Sequence, residues 1–184
     1  MIRLRPATSD DAAAIASIYA PFVSDSAISF ETDPPDAAEI AARIRAADAS
    51  YPWLVASEEG RILGYAYASR FRAREAYRFS VETSVYVLPA AQRRGLATRL
   101  YRELIDTLVA QGFTQAMAAI GLPNQASVLF HEAFGFENTG IYRKAGYKLG
   151  RWHDVGLWQR PLAGTEVPPR EPRKLSELGS IHPR

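Results

Sequence analysis

Alternating side chains in the middle of the chain predict a strand, and the residues after it predict a long helix. From Val81 to Val87, β-branched residues occupy every second position, which is the two-residue period of a strand. Pro89 ends this strand because it has no N–H to donate. Beyond it, apolar residues recur three and four positions apart until Gly112, a residue typical of helix C-termini. The predicted buried face comprises Leu96, Ala97, Leu100, Tyr101, Leu104, Ile105 and Leu108.

The same strand and helix periodicities, together with capping and turn residues, predict the other elements. Thr8 and Asp11 resemble a capping box, which predicts a helix that reaches about Tyr19. A loop or short helical turn is expected from Phe22 to Pro35. Further strands are predicted at 2–5, Trp53–Ser57, Arg61–Ser69, Thr114–Ile120, Glu137–Tyr147 and Arg151–Gln159, and further helices at Ala37–Ala47 and Pro123–Phe134. This order of elements indicates a mixed α/β fold.

The composition indicates one domain. The chain has 184 residues with 47% hydrophobic content, enough for one buried core. The core-forming pattern stops after Leu162, so we predict a domain at 1–162 and a proline-rich, extended or disordered tail at 163–184. The first residues lack the apolar region of a signal peptide, and no run reaches the ~20 apolar residues of a membrane span. A cytoplasmic protein without a membrane partner is therefore expected.

Charge and reactive residues narrow the function classes. The net charge of +2 is compatible with an anionic ligand but gives little support for nucleic-acid binding. There is no cysteine, so the protein supplies no thiol nucleophile. The three histidines are scattered along the chain, which argues against a metal site. We therefore predict no nucleic-acid partner and no metal.

The loop QRRGLA, from Gln92 to Ala97, joins the predicted strand to the predicted helix. The first N–H groups of a helix lack internal partners and lie at the positive end of its dipole, which favours phosphate oxygens. Gly95 and Ala97 keep this end free of large side chains, and Arg93 and Arg94 add positive charge. A diphosphate suits such a loop, although the loop by itself is only suggestive, and a plain loop with solvated arginines is the alternative.

The loop fits the Q/R-x-x-G-x-G/A pattern of the GCN5-related N-acetyltransferases, and the chain from Ile2 to Leu162 resembles the phosphinothricin N-acetyltransferase branch of that superfamily. Four further strings carry the resemblance: YPWLVA (51–56), AYRFSVETSVYV (76–87), GLPNQASVLFHEAFGF (121–136) and AGYKLGRWHDVGLWQR (145–160). The resemblance implies a largely antiparallel sheet flanked by helices, which splays after the fourth strand to admit pantetheine. It also implies a homodimer.

By this resemblance the co-substrate is acetyl-CoA, which donates its acetyl group directly to the α-amine of a small amino acid such as phosphinothricin or methionine sulfoximine. No covalent enzyme intermediate is needed, which suits a chain without cysteine. The residues implied in coenzyme binding are Val85, Tyr86, Val87, Gln92, Arg93, Arg94, Gly95, Leu96, Ala97, Thr98, Asn124 and Ser127.

Two residues are candidates for proton transfer. Glu82 is a carboxylate on an otherwise β-branched strand, where burial would raise its pKa and suit it to take a proton from an ammonium group. The alternative is a carboxylate paired with Arg78 or another cation, and the resemblance favours the base. His131 stands where many relatives have a tyrosine that protonates the thiolate. Its role as acid, relay or structural residue bonded to Ser127 stays open.

Residues 71–79 form a basic connection that leads to Glu82. Arginines there suit a carboxylate or phosphinate, although a solvated basic loop is the plainer interpretation. The resemblance implies that Arg72, Arg74 and Tyr77 contact the acceptor. Phe30 is a candidate wall of the same site, or an aromatic plug under a surface loop.

Three other functions are alternatives to this prediction. An acetyltransferase could act instead on an ordinary amino acid, a polyamine or a protein N-terminus. A non-catalytic acyl-CoA-binding module could use QRRGLA alone, but such a module needs neither Glu82 nor His131. A nucleic-acid binder that uses Arg72 to Arg78 lacks any accompanying fold pattern.

Overall fold

A seven-stranded sheet forms the centre of the molecule in the computed structural model, which describes residues 1–47 and 50–178. Its strands are β1 (Arg3–Pro6), β2 (Trp53–Glu58), β3 (Arg61–Arg70), β4 (Ser80–Val87), β5 (Gln115–Leu122), β6 (Glu137–Lys148) and β7 (Arg151–Pro161). They lie in the order β1-β2-β3-β4-β5-β7-β6, and each neighbouring pair is antiparallel except β4 and β5, which are parallel. The predicted mixed, largely antiparallel fold is confirmed.

Helices cover both faces of this sheet. The bounds are α1 (Ala12–Ser24), α2 (Ala37–Ala46), α3 (Leu96–Gln111) and α4 (Gln125–Ala133), with short 3₁₀ turns at Ser9–Asp11, Glu75–Tyr77, Pro89–Ala91 and Leu175–Glu177. α3 and α4 pack on one face and α1 and α2 on the other. The alternation of β4 follows this division, because Val81 and Val87 are buried with α3 whereas Tyr86 packs towards α1.

The first helix is longer than the sequence predicted. α1 continues through Pro21 to Ser24 instead of ending near Tyr19. Proline removes one helical N–H donor and normally kinks or ends a helix. Here Val23 is fully buried and Phe22 packs against a tyrosine ring of the sheet. Burial of the last turn therefore offsets the cost of the proline.

β4 and β5 pair only where they begin. The parallel ladder joins Ser80–Glu82 to Gln115–Met117 and then stops. β4 continues along β3 as far as Val87, and β5 continues along β7 as far as Leu122. In the described part of the chain, the edge of β4 from Thr83 to Val87 that faces β5 therefore has no strand partner. We call this opening the fork.

A buried pair of hydroxyls lies at the point where the fork opens. The Thr83 Oγ1 donates to the Met117 carbonyl of β5 at 3.2 Å and contacts the Tyr101 Oη of α3 at 2.7 Å. Because Thr83 already donates to Met117, the tyrosine is the donor to threonine. Thr83 is 3% exposed and Tyr101 is fully buried. This side-chain bridge replaces the next backbone bond of the ladder and ties the fork to the central helix.

Replacing Thr83 by valine should therefore destabilise the protein. The substitution keeps the shape but leaves the buried Tyr101 hydroxyl without its acceptor, which costs about 1–3 kcal/mol in free energy of unfolding. We expect the double variant Thr83→Val/Tyr101→Phe to lose less than the sum of the single variants, because it removes both partners together. Urea unfolding measures these values. Strict additivity would contradict the proposed coupling.

Candidate active site

The N-terminus of α3 has the bare amides that the sequence predicted. The first helical bond runs from the Arg99 N–H to the Gly95 carbonyl, so the amides of Leu96, Ala97 and Thr98 have no partner within the helix. Gly95 has a φ of 73°, in the left-handed region that favours glycine. No acidic side chain lies in the first turn. This end of the helix is suited to an anion.

The arginines around these amides are not equivalent. Arg94 donates to the Glu58 carboxylate of β2 at 2.9 and 3.0 Å, so its charge is largely offset. Arg99 points towards the Ile2 carbonyl, 3.5 Å away. Arg93 and Gln92 are exposed. The positive potential of the loop therefore depends more on the helix amides and Arg93 than the sequence indicated.

The unpaired edge of β4 ends at Val87, close to this loop in the chain. Its residues Val85, Tyr86 and Val87 are the predicted backbone contacts for pantetheine. The side chain of Tyr86 is used for packing, since its ring lies 4.9 Å from Tyr19 and 5.1 Å from Phe22, centre to centre. The backbone edge that faces the fork is left available to hydrogen-bond a ligand.

A cavity of about 440 Å³ lies where the fork closes, on the face of the sheet that carries α1 and α2. Glu82 of β4 and Met117 of β5, the last pair of the ladder, both line it. Arg72 supplies a positive charge at its wall. The remaining lining residues are Phe71, Ala118, Ala119, Thr139, Tyr142, Leu157, Trp158 and Gln159.

Glu82 is half-buried, and its carboxylate makes no hydrogen bond or ion pair to the side chains or backbone of residues 1–47 and 50–178. Burial raises the pKa of its carboxyl. The alternative partner considered from the sequence, Arg78, binds Glu171 instead, with a shortest N–O distance of 2.6 Å. A structural ion pair therefore does not account for Glu82.

His131 is not in this cavity. It is 6% exposed, and its Nδ1 lies 2.8 Å from the Ser127 carbonyl, which requires the proton on Nδ1. Its ring packs edge-on against Tyr101 and Phe136, each with centroids 5.4 Å apart. Nε2 is buried with no partner among the described residues. The imidazole of His131 therefore lies in an aromatic environment.

His131 and Glu82 lie on opposite sides of β4. Tyr101, which contacts His131, is bonded to Thr83, whose side chain points towards α3. Glu82 precedes Thr83, and successive side chains of a strand point to opposite faces. The structure does not bring the two candidate proton carriers into direct contact. Burial also lowers the pKa of His131, which keeps it neutral near pH ~7.

Asn124 and Ser127 lie in the first turn of α4. The Asn124 Oδ1 caps the helix by accepting from the Ser127 N–H at 3.2 Å. The Ser127 hydroxyl lies 3.3 Å from the Nδ1 of His131. Both residues thus have structural partners, and the amide nitrogen of Asn124 is left for a ligand.

The acceptor candidates are distributed unequally around the cavity. Arg72 lines it, lies over the rings of Phe71 and Tyr77, and donates to the Tyr142 hydroxyl at 3.4 Å. The ring of Tyr77 packs against the Arg72 guanidinium, and its centre lies 5.7 Å from the centre of the Phe71 ring. Arg74 is exposed and is not among the residues that line the cavity.

Phe30 lies on the same face but outside this lining. It is 39% exposed and lies so close to Gly146 that a β-carbon there would be 2.1 Å from its ring. The neighbouring residues are anchored: the Lys148 Nζ donates to the Ser29 carbonyl at 2.6 Å, and the Glu31 carboxylate binds Arg43 at 2.8 and 2.9 Å. This geometry fits a plug beneath the loop more closely than a wall of the cavity.

Sequence reasoning missed several cavity residues. Tyr142 and Thr139 of β6 and Gln159 of β7 line the cavity opposite Glu82. β6 and β7 reach this position only because β7 inserts between β5 and β6 in the sheet. No local pattern in the sequence encodes that strand order.

Two features are absent from the part of the chain that the structure describes. Within residues 1–47 and 50–178, no group of three or more His, Cys, Asp or Glu side chains is arranged to hold a metal ion. In the same part of the chain, no helix has the length and apolar character to cross a membrane.

A mixed sheet that opens between two parallel strands, beside a helix with bare amides, defines an acyl-coenzyme-dependent acyltransferase. The model of the acetyltransferase (GNAT) domain matches residues 4–157. The chain therefore belongs to the GNAT family of acetyltransferases, as the motifs predicted.

Its relatives within the family share nearly the whole chain. It is 43% identical over 177 residues to the phosphinothricin N-acetyltransferase of Streptomyces viridochromogenes, covering 96% of each protein. It is 37% identical to the L-methionine sulfoximine/L-methionine sulfone acetyltransferase of Pseudomonas paraeruginosa, over 90% of this chain and 98% of that protein. The crystal structure of a Sinorhizobium meliloti phosphinothricin acetyltransferase in complex with AcCoA superposes with a TM-score of 0.86, at 37% identity over 98% of both chains. The predicted resemblance is confirmed.

Replacing Glu82 by glutamine should stabilise the fold at neutral pH. A raised carboxyl pKa means that folding disfavours the ionised form, so the cost is absent below the unfolded value of 4.5 and grows as the pH rises through the folded value. We expect Glu82→Gln to melt above the parent protein at about pH 7.5 and together with it at about pH 4. Glu137→Gln, which removes an exposed carboxylate of β6, is the control. Lower stability of Glu82→Gln at neutral pH would contradict the assigned shift.

Proposed function

We propose that this protein transfers the acetyl group of acetyl-CoA to the α-amine of a small amino acid with an anionic or oxygen-rich side chain, of the type of phosphinothricin or methionine sulfoximine. The observation that carries the proposal is an unpaired, half-buried Glu82 in a cavity that also contains Arg72, at the closed end of the fork. The substrates of the relatives, as their names state them, support the same class of acceptor.

The residues present fit acetyl-CoA. The unpaired amides of Leu96, Ala97 and Thr98 suit its pyrophosphate, with Gln92 to Gly95 forming the loop around it. The open edge of β4 over Val85–Val87 suits the amides of pantetheine, which can add to the strand as a neighbouring chain would. Asn124 and Ser127 would contact the coenzyme from the first turn of α4.

The chemistry needs a neutral amine, an acceptor for its proton and stabilisation of an oxyanion. In the proposed mechanism Glu82 takes the proton from the ammonium group, directly or through one water molecule, and its raised pKa makes it the better base. The free amine attacks the thioester carbon, and a tetrahedral intermediate forms. An N–H of β4 in the fork donates to its oxygen. The nitrogen loses its second proton as the C–S bond breaks, and the departing thiolate takes up that proton.

His131 enters this mechanism only as a neutral imidazole. Its Nδ1 proton is held by the Ser127 carbonyl, so Nε2 carries a lone pair and can accept a proton but not donate one. Burial lowers its pKa, which opposes protonation at neutral pH. A relay or positioning role therefore fits it better than the role of the acid that protonates the thiolate.

Arg72 is the proposed contact for the acceptor's anionic group. A guanidinium offers a planar pair of donors to a carboxylate or phosphinate. Its stacking on Tyr77 and its bond to Tyr142 keep it at the cavity wall. Arg74 and Phe30 would reach the acceptor only if the loops that carry them moved. The homodimer and the cytoplasmic location implied by the resemblance are retained as predictions.

An acceptor panel tests the substrate class. Coenzyme A release is followed with a thiol reagent in the presence of phosphinothricin, methionine sulfoximine, glutamate and spermidine. We expect turnover with the first two acceptors and none with the polyamine, because Arg72 repels a cation. Activity on spermidine without activity on the anionic amino acids would exclude the proposed acceptor class.

Arg72→Gln and Arg74→Gln form a matched pair for this assay, since only Arg72 lines the cavity. We expect Arg72→Gln to raise the KM for phosphinothricin by about ten- to a hundredfold, because one charge-assisted hydrogen bond is lost. Arg74→Gln should have a much smaller effect. Equal effects would mean that the loop acts only through its net charge.

Glu82→Gln tests the assignment of the base. We expect kcat/KM to fall by about 10²–10⁴-fold while acetyl-CoA affinity is retained, because only the proton acceptor is removed. In the parent enzyme the rate should rise with pH through the raised pKa of Glu82, and this rise should be absent from the variant. Unchanged turnover of Glu82→Gln across about pH 7–9 would refute its role.

A further inference from the structure

The segment after the last strand packs back onto the domain. Leu162 donates its N–H to the Thr114 carbonyl at 2.9 Å, which continues the contact of β7 with the start of β5. Residues 163–174 then contain no helix or strand. Arg173 and Glu171 nevertheless make defined contacts with α3 and with the loop before β4. The proposed mechanism gives this segment no role.

Gln111 at the end of α3 anchors the segment. Its side chain is 1% exposed, and its Nε2 donates to the carbonyls of Ser50 and Arg173, both at 2.9 Å. Both hydrogens of the amide are therefore used. The backbone N–H of Arg173 in turn donates to the backbone carbonyl of Gln111 at 2.8 Å. Because a buried donor without an acceptor is costly, Arg173 is held at the C-terminus of α3.

Glu171 extends from this anchor to Arg78. The Arg78 Nη2 donates to one oxygen of the carboxylate at 2.6 Å and the Nε to the other at 2.9 Å, which is a two-point geometry. The guanidinium also lies over the ring of Phe79, 4.3 Å from its centre. An isolated exposed ion pair contributes little. This pair differs because the anchor at Arg173 has already fixed the position of Glu171.

Arg78 ends the loop that carries the acceptor-contacting residues. Tyr77 directly precedes it and supports the guanidinium of Arg72, 5.5 Å from the ring centre. Arg72 in turn lines the cavity. Glu171 is therefore linked to the proposed site of the acceptor's anionic group by its ion pair with Arg78, the adjoining Tyr77 in the chain and the contact of Tyr77 with Arg72.

We infer that residues 171–173 form a strap that positions the loop 71–79, and that Glu171 and Arg78 are positioning residues for the acceptor amino acid. The inference rests on the proposed function. The strap contacts α3 at its C-terminus and reaches neither the unpaired N-terminal amides of that helix nor the open edge of β4, so it acts on the acceptor and not on acetyl-CoA.

The first test compares Glu171→Gln and two truncations with the parent enzyme. One truncation ends at Gly164 and removes the strap, and its matched control ends at Leu178 and keeps it. We expect the KM for phosphinothricin to rise about two- to fivefold in Glu171→Gln and about tenfold in the shorter protein. The KM for acetyl-CoA should stay within about twofold throughout, and the control should match the parent.

Hydrogen exchange of the amides of 71–79 gives a readout that does not depend on activity. We expect faster exchange in Glu171→Gln and in the protein that ends at Gly164, and parent-like exchange in the control. If the parent acetylates no member of the acceptor panel, the proposed function fails, but the exchange experiment still tests the strap. Faster exchange of 71–79 in the two variants would support the strap, and unchanged exchange would overturn it. A rise in both KM values together would show a merely structural role and overturn the inference.

Charge reversal provides the rescue experiment. Arg78→Glu alone places two carboxylates together and should raise the acceptor KM at least as much as Glu171→Gln. The double variant Arg78→Glu/Glu171→Arg restores an opposite pair and should recover most of the loss. An acceptor KM that is no better in the double variant than in Arg78→Glu would contradict a strap that acts through this pair.

Discussion

The geometry of this enzyme depends on where the pairing of β4 and β5 stops. Thr83 takes the place of the next backbone bond by donating to the Met117 carbonyl, and Tyr101 of α3 holds it there. One residue earlier, Glu82 is still paired and rigid. One residue later, the backbone edge is free to receive a ligand. A pair of buried hydroxyls thus separates the rigid part of the site from its open part.

The two candidate proton-transfer groups lie on opposite faces of β4. Side chains that point to α3 form the core, and His131 is enclosed on that side among aromatic rings. On the α1 side, Glu82 borders the cavity and forms no ion pair among the described residues. A carboxylate that is desolvated but unpaired keeps a raised pKa, which an ion pair with Arg78 would have abolished. The separate binding of Arg78 by Glu171 is therefore compatible with the proposed base.

Local patterns in the sequence predicted those features of the site that are set by residues close together in the chain. The period of β4 identified Glu82, and the Gly95 loop with the apolar helix after it identified the bare amides of α3. Partners that are distant in sequence were not predictable in this way. Tyr142 lines the cavity only because of the order of the strands in the sheet. Arg94 forms an ion pair with Glu58 of β2, which offsets its charge. The aromatic enclosure of His131 likewise depends on how α3 and α4 pack, which no single stretch encodes.

We propose that the amides at the start of α3 bind the diphosphate of acetyl-CoA, and isothermal titration with acetyl-CoA measures this binding. Thr98 is exposed in the first turn, so Thr98→Glu places a carboxylate at the same amides while favouring the helix dipole, and Thr98→Gln is a neutral control of the same size. We expect binding of one acetyl-CoA per chain to the parent and to Thr98→Gln, and loss of binding in a folded Thr98→Glu. Absence of binding to the folded parent, or equal binding to Thr98→Glu, would contradict it.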